Sequence, residues 1–477
     1  MRVSKHFKLD RYQAELDFLD VPLETDLPVF VEPTAIRSLG TPWSNKCVAL
    51  LQNFFSSVLI SVKTGDKSRA IQLLSSLRER NEFHLGYSSG KSRGHAFGTG
   101  SAGSVWDSLL RSKAAKSGVL RDLEDTALLI EGIGPDMISD AVCNIIRGPL
   151  IEYTQDMCRY YGIPMKSGVA SGPMWNIQEE EWIASFVDLP MPAGEKLVLV
   201  PKAIVRLAAS YDVGEYYRHY LLPELQRQHL TSGSALVQVL KNKERRVTKK
   251  SLMQHYGNDK PAVSSLTESN PGVLENYKKT KSAQPSLPMS NRSLAEIENT
   301  VSPNLADLLS DVLKIPPGIK HATSYERAIE RLLSALLYPS LTYPQRQKPL
   351  NDGRKVLDLM YNNNAAEGFF AWLAKHYPAP YIFIECKNYS EDVKNPELDQ
   401  LSGRFSPSRG QFGLLVCRGV SDRKKIAAMC RDTAKDARGF MVVLDDADLE
   451  TLVSNHTAIH TNKTRTLLHN RFDQMTL

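Results

Sequence analysis

The stretch Tyr381-Ile382-Phe383-Ile384-Glu385-Cys386-Lys387-Asn388 decides how this chain is read. Four strand-forming residues run straight into a carboxylate and an ammonium. A second segment, Val356-Leu357-Asp358-Leu359-Met360-Tyr361, carries one acid inside an apolar run, and Asp358 precedes Glu385 by 27 residues. Unpaired charge is very costly to bury in such strands, so these groups are expected to meet a partner or a metal ion. Alternation along a strand puts Glu385 and Lys387 on one face, two residues apart.

Working outward, the pattern from Ser324 onward is regular. Tyr325 to Leu337 reads as an amphipathic helix with Ala328, Leu332, Ala335 and Leu336 on its apolar side. The Asp358 strand follows, then Gly368 to His376 as a crossover helix, the Glu385 strand, and a helix from Pro396 to Arg404. Phe412 to Cys417 and Phe440 to Leu444 are buried strands flanking a helix over Arg423 to Arg438, and Asp448 to Leu452 closes the series. Strands apolar on both faces that alternate with helices predict an α/β layer with helices on both sides.

This order resembles the PD-(D/E)xK nuclease superfamily, and within it the Mrr-type restriction endonucleases. The residues carrying the resemblance are Glu326 on the first helix, Asp358, Glu385-Cys386-Lys387 and Gln400, over roughly residues 320 to 452. Gly353-Arg354-Lys355 precedes the acidic strand where the superfamily name suggests Pro-Asp. The resemblance implies a restriction-endonuclease-like αβββαβ core, a metal-dependent endodeoxyribonuclease and a role in prokaryotic defence against foreign DNA. Repair or junction cleavage is the second enzymatic reading, since one fold serves many functions. A non-catalytic nucleic-acid-binding regulator on the same scaffold is the third.

The chemistry fits independently. Phosphodiester cleavage loads negative charge onto oxygens that are already anionic, and a hard divalent cation held by carboxylates stabilises it. Mg2+, with Mn2+ as a substitute, is therefore expected on Asp358, Glu385 and the backbone carbonyl of Cys386. Lys387 would orient the attacking water or help deprotonate it. By the resemblance, Glu326 completes the ion's surroundings, with Glu330 one turn away as the fallback, and Gln400 hydrogen-bonds near the water or phosphate. Arg404 and Arg409, around Ser406-Pro407-Ser408, are candidate phosphate contacts or a solvated loop. Tyr389 would pack on a sugar or on the sheet edge.

The remaining sequence supplies organisation rather than chemistry. At 477 residues two or three domains are expected. They read as an α-rich mixed recognition or regulatory domain over 1–240, a basic connector and Ser/Pro-rich linker over 241–317, the nuclease layer over 318–455, and a tail over 456–477. In the first domain, helices are predicted over Val48 to Val62, Lys67 to Arg80, Ser104 to Lys116 and Met137 to Tyr161, with a strand at Lys196 to Val200. Residues 241–281 hold ten Lys or Arg against four Asp or Glu, a surplus equal to the net charge of +6 for the whole chain. Lys249 and Lys250 in this strip are candidate DNA contacts; the alternative is a solvated helix end.

Other signals argue for exclusions. No signal-peptide-like run follows Met1, and polar residues interrupt Val48 to Val62, so neither secretion nor a membrane partner is expected. Six cysteines without CxxC spacing read as reduced thiols of a cytoplasmic protein. Gly86-Tyr87-Ser88-Ser89-Gly90-Lys91-Ser92 ends like a P-loop, but its first glycine is one residue too close, so no nucleotide cofactor is expected. Glu131, Asp136 and Asp140 could pass for a second metal cluster, but Asp136 is better explained as an acid at a helix N-terminus, and His84 and His95 lack zinc-ligand spacing. DNA is the expected partner. The resemblance allows a homodimer that cuts both strands, while the residues themselves fix no oligomeric state.

Overall fold

The computed structural model describes residues 1–78, 80–86, 99–283, 287–302, 304–350 and 355–476. Most of the glycine-rich loop after Gly86, with Lys91 and His95, lies outside them, as do Gly353 and Arg354. The chain is mixed α/β, with a five-stranded sheet near its C-terminus. Two hydrophobic cores organise it, one drawing on residues from Val3 to Leu294 together with Tyr338, and the other on residues from Leu308 to Met475 together with Ala14.

The first core is built mainly from helices. Pro42–Thr64 is longer than the predicted Val48 to Val62, because Thr41 caps it and Pro42 fits its first turn. It is the one helix among the described residues long and apolar enough to cross a membrane, but Phe54, Phe55, Val58 and Val62 on its apolar face lie in the core. The predicted helix over Met137 to Tyr161 is two helices, Pro135–Ile145 and Arg147–Tyr161. Pro149 forces this break, since proline is tolerated only in a first turn. Ser104 to Lys116 also divides, at Ser112, whose extended backbone caps a new helix.

Leu197 to Val200 is buried but forms no strand. Its N–H groups bond instead to scattered acceptors, Val198 to the Glu82 carbonyl and Leu199 to the Thr154 hydroxyl. The stretch read as a basic connector carries the helices Lys249–Tyr256, Lys260–Ser269 and Pro271–Ala283. Their residues Leu252, Val263, Leu274 and Tyr277 join the first core.

The second core surrounds the sheet. We number its elements α1 (Ala322–Leu337), β1 (Leu341–Leu350), β2 (Lys355–Asn363), α2 (Gly368–His376), β3 (Tyr381–Lys387), α3 (Asn395–Ser402), β4 (Phe412–Cys417), α4 (Arg423–Lys435), β5 (Phe440–Leu444), α5 (Asp446–Ser454) and α6 (Leu467–Thr476). The strand order is β5-β4-β3-β2-β1. β3, β4 and β5 run parallel, while β2 is antiparallel to both β1 and β3. All six residues of β4 are buried in succession, so both faces of the sheet centre are covered.

Two expectations need correction here. β1 was not anticipated; it is an edge strand containing Pro344, which only an edge tolerates well. Because β2 and β3 are antiparallel, α2 makes no crossover between parallel strands, and the parallel crossovers begin with α3. The tail, read as lacking periodicity, ends in α6, whose Leu468, Phe472 and Met475 pack into the second core.

Candidate active site

The register of β2 on β3 creates the cluster. Leu359 pairs with Ile384 and Met360 with Phe383, so Asp358 and Glu385 come next in register where the strands approach the end of their ladder. The Asp358 carboxylate accepts from the Cys386 N–H at 2.9 Å. Glu385 Oε1 accepts from Lys387 Nζ at 2.9 Å, as two side chains on one strand face should. Gln400, on α3, closes the set: its Oε1 accepts from Lys387 Nζ at 3.0 Å and its Nε2 donates to Glu385 Oε1. Asp358, Glu385, Lys387 and Gln400 therefore meet at one place.

Glu326 approaches from α1, close enough to Asp358 for mutual repulsion. It pairs with Arg346 of β1 at 3.7 Å. Sequence reasoning missed Arg346, because its run Tyr343-Pro344-Gln345-Arg346-Gln347-Lys348 has no apolar alternation to mark a strand. Glu330 does not serve as the fallback. It is saturated by Arg11, Tyr160 and Ser334 and belongs to a different contact.

Electrostatics at the site are dominated by burial. Desolvation raises the pKa of Asp358, against the Cys386 N–H and the Lys387 and Arg404 cations. Glu385 is raised by burial and then by Asp358, and Glu326 by the same two causes. Burial also opposes the Lys387 ammonium, but Glu385 and Asp358 outweigh it and its pKa is raised. Lys387 thus stays protonated at neutral pH and acts as a donor.

Arg404 is not part of a solvated loop. It directly follows α3, is 8% exposed, and its charge reaches both Asp358 and Glu385. Among the described residues its Nε has no hydrogen-bond partner. Arg409 sits further on, in the turn closed by Ser406 and Gly410. Tyr389 is 40% exposed just beyond the strand end. Lys249 and Lys250 open the helix Lys249–Tyr256; Lys249 donates to the Arg218 carbonyl and Lys250 is exposed. Neither belongs to the sheet unit.

The donor set suits a hard cation. Among the described residues Glu385 Oε2 is buried without a hydrogen-bond partner, an arrangement costly for a carboxylate oxygen unless something positive meets it; Glu326 Oε1, also without a hydrogen bond, already faces Arg346 at 3.7 Å. Among the described residues no group of three or more His, Cys, Asp or Glu side chains is gathered tightly enough to hold an ion alone. Magnesium does not require one, since it keeps waters and binds through one or two carboxylates plus substrate phosphate.

A family model described as Domain of unknown function (DUF8370) matches residues 8–212. The match stops well short of the sheet. Comparison with curated proteins and with solved structures returns no match. All the residues that the matched segment gives to the two cores, except Ala14, lie in the first, and the clustered carboxylates fall outside the match.

Proposed function

We propose that the chain is a divalent-cation-dependent DNA endonuclease whose cutting site is the Asp358–Glu385–Lys387 cluster. The observation that carries this reading is the convergence of one buried acid (Glu385), one half-buried acid (Asp358), one lysine and one amide from three elements. The order α1, β1, β2, β3, α3, β4, with α2 inserted, supports a restriction-endonuclease-like αβββαβ core. A role in defence against foreign DNA rests on the resemblance alone.

Asp358, Glu385 and the Cys386 carbonyl would hold the cation, with Glu326 beside them. Bound there, the cation would supply stabilisation of charge developing on the phosphate oxygens. The protein's own residues account for the rest. Lys387 donates a charged hydrogen bond next to the carboxylates and can orient a water there. Gln400 holds Glu385 and Lys387 together, so neither rotamer drifts. Arg404 offers a buried guanidinium fork to a phosphate oxygen.

The pKa directions give a test. Asp358, Glu385 and Glu326 are all raised, so cleavage should fall on acidification beginning above the ordinary carboxylate range of about 4. The sign for stability is opposite. Groups that bind protons more tightly when folded favour the fold as pH falls, so these three residues do not make the acid limb an unfolding transition. Arg404 lowers both Asp358 and Glu385, so Arg404→Met should move the limb to higher pH and slow cleavage by about 10²-fold. Single-turnover rates against pH check both points. A limb centred within the ordinary range, or unmoved in Arg404→Met, contradicts the charge assignment.

A further inference from the structure

The contact that occupies Glu330 reaches the candidate site from two sides. Glu330 is fully buried on α1, one turn beyond Glu326. It accepts from Arg11 Nη1 at 3.0 Å and Nη2 at 2.6 Å, and from the Tyr160 hydroxyl at 2.8 Å. The neighbouring Arg331 donates to Glu15, and its Nη2 also donates to the Asp10 carbonyl at 3.1 Å. From Glu330 the network continues through Ser334, whose hydroxyl lies 2.8 Å from that of Tyr361. Tyr361 stands on β2, three residues beyond Asp358. At the start of β1, the Tyr343 N–H donates to Asp17 at 2.7 Å and its hydroxyl donates to Asp156. Three residues further along β1 is Arg346, the partner of Glu326.

Every donor or acceptor on the far side of these contacts lies between residues 10 and 160, inside the segment that matches the domain of unknown function. Buried ion pairs of this kind are poor sources of stability, because desolvation offsets most of the attraction. What a bidentate guanidinium–carboxylate pair does provide is geometry, since its two parallel bonds fix one orientation.

We propose that the N-terminal unit positions the cutting site, with Arg11 and Tyr160 acting on Glu326 and Asp358 through Glu330. Arg11 is a positioning residue; it touches neither cation nor phosphate. The inference rests on the nuclease reading for its consequence, but its physical content is the placement of a cation-binding carboxylate set. Loss of a residue that orients a metal ligand ordinarily weakens metal affinity by about 10- to 100-fold.

The test uses the full chain and Mn2+ alone, titrated without DNA and followed by the electron paramagnetic resonance signal of the free ion. Arg11→Met should weaken Mn2+ binding by about 10- to 100-fold and slow single-turnover cleavage by a similar factor. Its DNA affinity should stay within about twofold of wild type, and Arg11→Lys should recover part of the loss. Amide hydrogen exchange over residues 322–330 should quicken in the same variant. If Arg11→Met does not fold, Glu330→Gln, of nearly the same shape, carries the same expectation. Folded variants with wild-type Mn2+ affinity overturn the proposal even when the wild type cuts DNA. A wild type that binds Mn2+ with the expected Arg11 dependence yet leaves DNA intact supports the positioning role and sinks the nuclease reading. No Mn2+ binding by the wild type overturns both.

Discussion

Lys387→Ala should reduce DNA cleavage by at least about 10³-fold while leaving the fold intact. The side chain is 12% exposed and makes its two hydrogen bonds to Glu385 and Gln400, so its removal leaves the sheet untouched. It takes away the one cation that, among the described residues, contacts Glu385 directly. Among the described residues the Glu385 carboxylate then keeps only Gln400 as a hydrogen-bond partner, and its pKa rises further because Lys387 is one of the charges that hold it down. Both changes act against a carboxylate that must be ionised to hold a cation. Asp358→Asn should cost at least as much, since it removes a charge and keeps the shape. Single-turnover cleavage of supercoiled plasmid, with circular dichroism as the control for folding, measures the effect. Cutting retained within about tenfold in Lys387→Ala would falsify the assigned mechanism.

The largest expected effect on stability lies at the start of α2. Gly368 begins α2 with φ +79°, a left-handed backbone that disfavours any side chain. A Cβ placed there would stand 2.0 Å from the Ile459 carbonyl oxygen and 3.0 Å from the Thr461 nitrogen. Both are backbone atoms and cannot swing aside. The Gly368 N–H also donates to Asn462 at 2.9 Å, so this point docks the segment that leads into α6. Gly368→Ala should therefore destabilise the sheet unit by about 4 kcal/mol or more, combining left-handed strain with overpacking. It should also loosen Phe472, which packs against Phe369, Trp372 and Tyr377. Urea unfolding followed by tryptophan fluorescence checks this, and a loss under about 1 kcal/mol contradicts the packing described.

How much of this was legible depended on whether a residue's neighbours along the chain reveal its surroundings. β3, β4 and β5 could be read because they are apolar on both faces, which few other settings allow. The same apolar runs made Asp358, Glu385 and Lys387 conspicuous. β1 was hidden because an edge strand tolerates Pro344 and polar residues, and Arg346 was hidden with it. Leu197 to Val200 has strand composition but no partner strand, a property of tertiary structure that no local pattern carries. The helices of 249–283 read only as a basic, partly helical connector because their buried apolar residues are few and widely spaced, as Leu252, Val263, Leu274 and Tyr277 show. Glu330 was the hardest to read. It lies on the expected helix one turn from Glu326, and only a residue more than three hundred positions away, Arg11, decides that it braces the helix.

The most direct measurement is the fate of supercoiled plasmid incubated with the purified full-length protein across a Mg2+ titration, with a chelator control. The account predicts nicked and linear products that rise with Mg2+, vanish with the chelator and are absent for Asp358→Asn. Plasmid left intact at every Mg2+ and Mn2+ concentration, by protein shown to be folded, would contradict it.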